Sequence, residues 1–198
     1  MDGVLIDAKD WHYDALNRAL NLFGYNISRY DHLVTFDGLP TRDKLEILSK
    51  EQGLPKHLHK MINELKQDYT TEIIHSKCKP IFNHEYALSR LKNEGYSIGL
   101  ASNSIRQTIE LMMDKSHLSQ YLDITLSNED VSKGKPDPEI YLKSAERLGI
   151  KTSDCLIVED NPNGIAAAKA SGAHVMVVET VYDVTYENIE KHLKVSVK

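Results

Sequence analysis

The chain has 198 residues, of which 41% are hydrophobic and 27% charged, and a formal net charge of -5. That length and balance make one ordinary domain, or one domain with a modest insertion, and exclude a disordered chain. No apolar run approaches the roughly 18 residues of a membrane span, the acidic start lacks the basic region of a signal peptide, and dispersed Lys and Arg offer nucleic acid little electrostatic hold. Cys78 and Cys155 are the only cysteines. They suit a reducing cytoplasm and are too few for a disulfide framework or a zinc site.

The first stretch reads as helical. In residues 10–23, Trp11, Ala15, Leu16, Ala19, Leu20 and Phe23 keep a helical period, and Gly24 closes the helix. Thr41 stands where it can cap a second helix carrying Leu45 and Leu48, ended by Gly53. Pro55 leads into a third, with Leu58, Met61, Ile62, Leu65, Tyr69 and Ile73 on one face, and Pro80 interrupts it. Beyond Pro80 short apolar runs alternate with helical patterns. A helix over residues 85–93 stops at Gly95, and the run "SIGLA" at 97–101 has strand length. A helix over 105–115 follows, then a strand at 123–127, then a helix that Pro138 opens and Gly149 follows. A third strand at 155–158, a helix over 163–170 and a fourth strand at 174–178 complete the series. This alternation implies an α/β fold with a parallel sheet and right-handed crossovers. The segment 9–80 has no strand of its own and reads as an all-helical insertion.

In an open parallel sheet, ligands gather outside the carboxyl ends of the strands. Here Ser102-Asn103 follows "SIGLA", Lys133-Gly134-Lys135-Pro136 lies in the loop after "DITLS", and Glu159-Asp160 follows "CLIV". A hydroxyl, an ammonium and paired carboxylates at one edge suit a hard cation with a phosphate. Mg²⁺ takes oxygen ligands and shares them with substrate phosphate, and lysine binds phosphate as a point charge. Each element alone has an ordinary explanation: a Ser-Asn turn, a solvated loop lysine, and a helix N-cap after Glu-Asp. Their common position at strand ends, and never at strand starts, favours a site.

On these residues the chain resembles the haloacid dehalogenase (HAD) superfamily, in the subgroup of beta-phosphoglucomutase and phosphoglycolate phosphatase. The matching stretches are "MDGVLID", "LASNS", "GKPDPEIYL" and "VEDNPNGIAAAKASG", in the family's order along nearly the whole chain. The resemblance implies a Rossmann-like core from residues 1–8 and 81–198, a helical cap from 9–80, Mg²⁺ as cofactor, and phosphoryl transfer through an aspartyl phosphate. It implies that Ser102, with Asn103 beside it, holds the transferring phosphoryl group and that Lys135 neutralises it. Asp160 would ligate Mg²⁺ with Glu159 beside it. Asp2 would be general acid/base and lend its carbonyl to the metal, and Gly3 would permit the following turn.

The family writes its first motif Asp-x-Asp-Gly. Asp2 matches the second Asp and Met1 matches x, so the nucleophile, and the first core strand that carries it, would stand before Met1. Residues two apart point the same way along an extended chain, which is why the spacing matters. Three explanations stand: Met1 is an internal methionine taken as a start, the chain is a non-catalytic relative, or it is a processed form.

The cap decides substrate in this family. His12 falls where sugar phosphomutases carry a cap-helix histidine, whereas Ala8 departs from the usual Ser or Thr. In the loop "FDGLPTRDKL" the mutase arginine aligns with Thr41, and Arg42 is one residue on. A mutase lysine aligns with Thr71. The expectation is therefore a phosphatase acting on a small phosphorylated sugar or similar metabolite. A phosphomutase and a non-catalytic binding protein are the alternatives. A monomeric, cytoplasmic protein without nucleic-acid or membrane partners is expected.

Overall fold

A computed structural model describes residues 1–36 and 38–196. The chain divides into two compact units, Met1–Asp7 with Cys78–Lys198, and Ala8–Lys77.

The second unit is helical: α1 (Lys9–Asn21), α2 (Arg29–Asp31), a π-helical turn His32–Phe36, α3 (Thr41–Glu51) and α4 (His59–Lys77). Leu16 and Leu20 of α1 meet Leu45 and Leu48 of α3 and Ile62 of α4 in one core. Asn17 holds the loop after α1 by a reciprocal pair, accepting from the Ile27 N–H at 2.8 Å and donating to its carbonyl at 2.9 Å. Thr41 is the first helical residue and not the cap, because Pro40 occupies the cap position and no side chain bonds the open N–H groups. Met61 is 52% exposed. Ile62 and Ile73 of the expected face are buried, and Leu58, Leu65 and Tyr69 pack partly buried against the helical core; the fully buried line extends to Lys66, Thr70 and Ile74. Two polar residues on that line disguise it to a reading of hydrophobicity alone. Asp37, in the loop "FDGLPTRDKL", lies outside the described residues.

The other unit carries α5 (Phe82–Asn93), β1 (Gly99–Ala101), α6 (Arg106–Lys115), β2 (Ile124–Leu126), α7 (Glu139–Leu148), β3 (Leu156–Glu159), α8 (Pro162–Ala170), β4 (His174–Val177) and α9 (Tyr186–Ser196). β1 pairs parallel with β2, and β3 pairs parallel with β4, as two separate two-stranded sheets. Leu126, Ile140, Tyr141, Ala167 and Ala168 form a core beneath them. Tyr186 and Ile189 of α9, three apart, are both buried; with Leu193 four further on they keep a helical period that the expected series of elements left out. No helix among the described residues is long and apolar enough to cross a membrane.

His84 of α5 is 1% exposed, and its Nε2 donates to the Val181 carbonyl at 2.7 Å. Burial pushes its pKa below the ordinary 6.5, against the raising effect of its backbone acceptors. The native state therefore binds this proton less readily than the unfolded chain. The resulting stability is fully present above pH 6.5 and is lost as pH falls through the folded value. His84→Gln retains a donor for Val181 and is expected to flatten the acid limb of a melting-temperature profile. The shift should be about 2–4 °C for each kcal/mol of linkage removed. An identical acid slope in the variant would exclude His84 as its source.

Candidate active site

The first residues form a tight turn. Val4, Leu5 and Ile6 N–H groups all point at the Met1 carbonyl, at 3.2, 2.8 and 3.1 Å, and Gly3 N–H donates to Ile6 O at 2.8 Å. Gly3 has φ +71°, a left-handed conformation that a side chain would strain. The turn presents Asp2, whose Oδ2 accepts from Ser104 Oγ at 3.1 Å across 102 residues of sequence.

Ser102 directly follows β1. Its N–H continues the ladder to Leu126 O at 3.0 Å, its Oγ accepts from Ser104 N–H at 3.1 Å, and it is 4% exposed. Asn103 Oδ1 accepts from Lys135 N–H at 3.2 Å, which ties the loop after β2 to the end of β1. Lys135 Nζ donates to Ala101 O at 3.1 Å and forms an ion pair with Glu159 Oε1, both side chains buried. Tyr141 of α7 donates its hydroxyl to the same oxygen. Glu159 is the last residue of β3, and its Oε2 accepts from Asp160 N–H at 3.3 Å. The first turn of α8 closes over this carboxylate: a Cβ on Gly164 would land inside it.

Burial works to raise the Glu159 pKa. The charges of Lys135 and the Met1 amine, with the Lys135 and Tyr141 hydrogen bonds, outweigh it and hold the carboxyl below its ordinary value. Burial lowers the pKa of the Met1 amine, which feels the charges of Glu159, Lys135, Asp2 and Asp160 together. The Tyr141 phenol is pushed far above its ordinary range, by burial first and the Glu159 charge second, so it remains a donor.

Asp2, Ser102, Asn103, Lys135, Glu159 and Asp160 thus all come together in the sheet unit. Glu159 Oε1 is occupied by Lys135 and Tyr141, so its chemistry here is that of a lysine anchor. Among the described residues no group of three or more His, Cys, Asp or Glu forms a ready metal cage. Asp160 offers a carboxylate and Asp2 its backbone carbonyl, and Mg²⁺ is commonly bound by one or two carboxylates plus other oxygen donors, substrate phosphate and water among them. The donor chemistry fits that ion.

Within the helical unit, His12 lies in the first turn of α1 with its Nδ1 3.4 Å from Lys66 Nζ. Thr41 is half-buried and Arg42 exposed at the start of α3. Sequence reasoning missed Ser104, Tyr141 and Lys66. Lys66 did leave a signal: a lysine four residues from Ile62 and from Thr70 on a buried helical line. The contact of Ser104 with Asp2 depends on topology and left none.

Residues 1–178 match the family model described as haloacid dehalogenase-like hydrolase. The chain is 29% identical over 189 residues to a phosphorylated carbohydrates phosphatase of Thermotoga maritima, covering 94% of this chain and 83% of that protein. It is 26% identical over 191 residues to a pyrophosphatase of Bacillus mycoides, covering 90% and 80%. In fold it is similar to a beta-phosphoglucomutase from Clostridium difficile, with TM-score 0.84, 21% identity, and 99% and 95% of the two chains covered.

Proposed function

The chain belongs to the haloacid dehalogenase-like hydrolases, and from that premise we propose that it removes phosphate from a small phosphorylated metabolite, a sugar phosphate first among them. The observation that carries the reading is the buried Lys135 ammonium, fixed between Glu159 and the carbonyl of Ala101, the residue before Ser102. A phosphoryl oxygen placed there would meet a cation, and Ser102 supplies the hydroxyl next in sequence. Phosphoryl transfer depends mainly on such positioning and charge. The name of the Thermotoga relative supports a phosphorylated carbohydrate as substrate.

In this reading the attacking group is a carboxylate two residues before Asp2, outside residues 1–198. It bonds to phosphorus as the ester oxygen leaves, and Asp2 gives that oxygen a proton. Asp2 then takes a proton from the water that cleaves the aspartyl phosphate. Ser102 and Lys135 hold the phosphoryl oxygens throughout. Asp2 and Asp160 would hold Mg²⁺, which supplies charge neutralisation when bound. Residues 9–80 act as the substrate-selecting cap. Lys66 beside His12 favours a second reading, a phosphomutase, because such an enzyme must hold two phosphates at once.

The test is phosphate release against isomer interconversion on a panel of sugar phosphates, with and without Mg²⁺, in a polypeptide that continues upstream of Met1. Asp160→Asn is expected to weaken Mg²⁺ dependence and lower turnover about 100-fold or more with little change in melting temperature. Glu159→Gln removes the counter-charge of a buried ammonium and is expected to destabilise by about 3–5 kcal/mol. Equal phosphate release by Asp160→Asn and the parent, with or without chelator, would remove the metal from the mechanism.

A further inference from the structure

Tyr141 touches both members of the buried ion pair. Its hydroxyl donates to Glu159 Oε1, and Lys135 Nζ lies 4.7 Å from the centre of its ring. The ring is 7% exposed, and it stands in the first turn of α7, a helix packed beside β1 and β2. The last torsion of a glutamate is broad and shallow. With two donors on Oε1 and the Asp160 N–H on Oε2, the Glu159 carboxylate has one orientation left. Lysine has a flexible four-carbon stem and presents a point charge, so its ammonium stands only where its partners hold it. One partner is the carbonyl of Ala101; the others are the Glu159 carboxylate and the face of Tyr141.

We propose that Tyr141 is a positioning residue, which fixes the Lys135 ammonium through the Glu159 carboxylate and through its own ring, and so sets how tightly the site holds a phosphoryl group. The proposal rests on the phosphate-handling reading above. Tyr141 does not touch the phosphoryl group; it acts through Lys135. Removing the hydroxyl frees one carboxylate oxygen to rotate, and the ammonium follows it. Removing the ring as well takes away the second support.

The experiment uses the 198-residue polypeptide, with Tyr141→Phe to remove only the hydroxyl and Tyr141→Leu to remove both supports. Inorganic phosphate is titrated by calorimetry. Acylation of Lys135 by a brief acetic anhydride pulse is read by peptide mass spectrometry against the exposed Lys50 and Lys169. Melting temperature is followed in parallel. Tyr141→Phe should weaken phosphate binding and speed Lys135 acylation, each about three- to tenfold, the range for one ordinary lost hydrogen bond. Lys50 and Lys169 should be unchanged, and Tyr141→Leu should shift both readouts further. Unchanged phosphate affinity and unchanged Lys135 acylation in Tyr141→Phe would overturn the proposal. So would a lowered melting temperature with both readouts at parent values in the folded protein, which is the signature of a packing role. If the parent itself does not bind phosphate, the functional reading fails. The acylation rates of the two variants then still decide whether Tyr141 holds Lys135.

Discussion

A polypeptide that runs through an apolar strand into an Asp placed immediately before Met1 is expected to melt higher than residues 1–198 alone. It should also release phosphate, with Mg²⁺, at least about 1,000-fold faster, since phosphate monoester hydrolysis needs accelerations reaching about 10²¹. Two features of the sheet unit lead to this. β1–β2 and β3–β4 are separate sheets, yet Lys135 bridges the Ala101 carbonyl at the end of β1 and Glu159 at the end of β3. The Met1 amine feels the charges of Lys135 and Glu159. A strand arriving at Met1 is expected to run between β1 and β3. A typical strand of about 5–6 residues would there satisfy backbone groups on both edges. The new peptide bond would also replace a buried amine.

That last change has its own pH signature. Burial depresses the Met1 amine below its ordinary 8.0, so the native state of residues 1–198 binds this proton less readily than the unfolded chain. The stability it contributes is present above pH 8.0 and is lost as pH falls through the folded value. The short polypeptide should gain stability between neutral and mildly alkaline pH, and the extended one should not. Should residues 1–198 alone release phosphate as fast as the extended form, another residue attacks phosphorus and the reading of "MDGVLID" is wrong.

Gly164→Ala is expected to be the most damaging single methyl in the sheet unit. Its Cβ would overlap the Glu159 carboxylate itself. That carboxylate cannot retreat without releasing Lys135 and Tyr141. Overpacking costs about 1–3 kcal/mol, and an ammonium left buried without its partner adds up to about 3–5 kcal/mol. Gly134→Ala is the control. Its Cβ would stand 3.2 Å from Asn103 Oδ1, so that side chain need give only a few tenths of an ångström and can keep its bond from the Lys135 N–H. Thermal melts and phosphate calorimetry on both variants measure the difference. Gly164→Ala should lose several degrees and about tenfold or more in phosphate affinity, and Gly134→Ala much less. Parent-like melting and binding in Gly164→Ala would mean that α8 can move away from Glu159 at little cost.

Much of this was legible before any coordinates. The α/β alternation after Pro80, the helical segment before it and the placement of Ser102, Lys135 and Glu159-Asp160 at strand ends were read from periodicity and turn residues. The family followed from four motifs, now matched over residues 1–178. α9 was legible but not taken up: Tyr186, Ile189 and Leu193 keep a helical period in a mostly polar stretch. The buried face of α4 was legible apart from Met61, which is exposed, and from Lys66 and Thr70, whose polarity hid their place on it. Thr41 had the chemistry of a cap but stands after Pro40, inside the helix.

What the sequence determined by itself is what a few consecutive residues can encode. Period, turn chemistry and the residue types delivered to each strand end are all set within about one helical turn or one strand, by local sterics and side-chain alternation. Division of labour among the charged groups was decided only by tertiary structure. Glu159 and Asp160 are adjacent and chemically alike, yet Glu159 turns inward to Lys135 and Tyr141, 24 and 18 residues away. Ser104 finds Asp2 across 102 residues, and Lys66 finds His12 across 54. Such pairings depend on which strands and helices lie side by side and on what burial leaves uncompensated. A buried charge is tolerated only where the fold brings its counter-charge and hydrogen-bond donors to meet it.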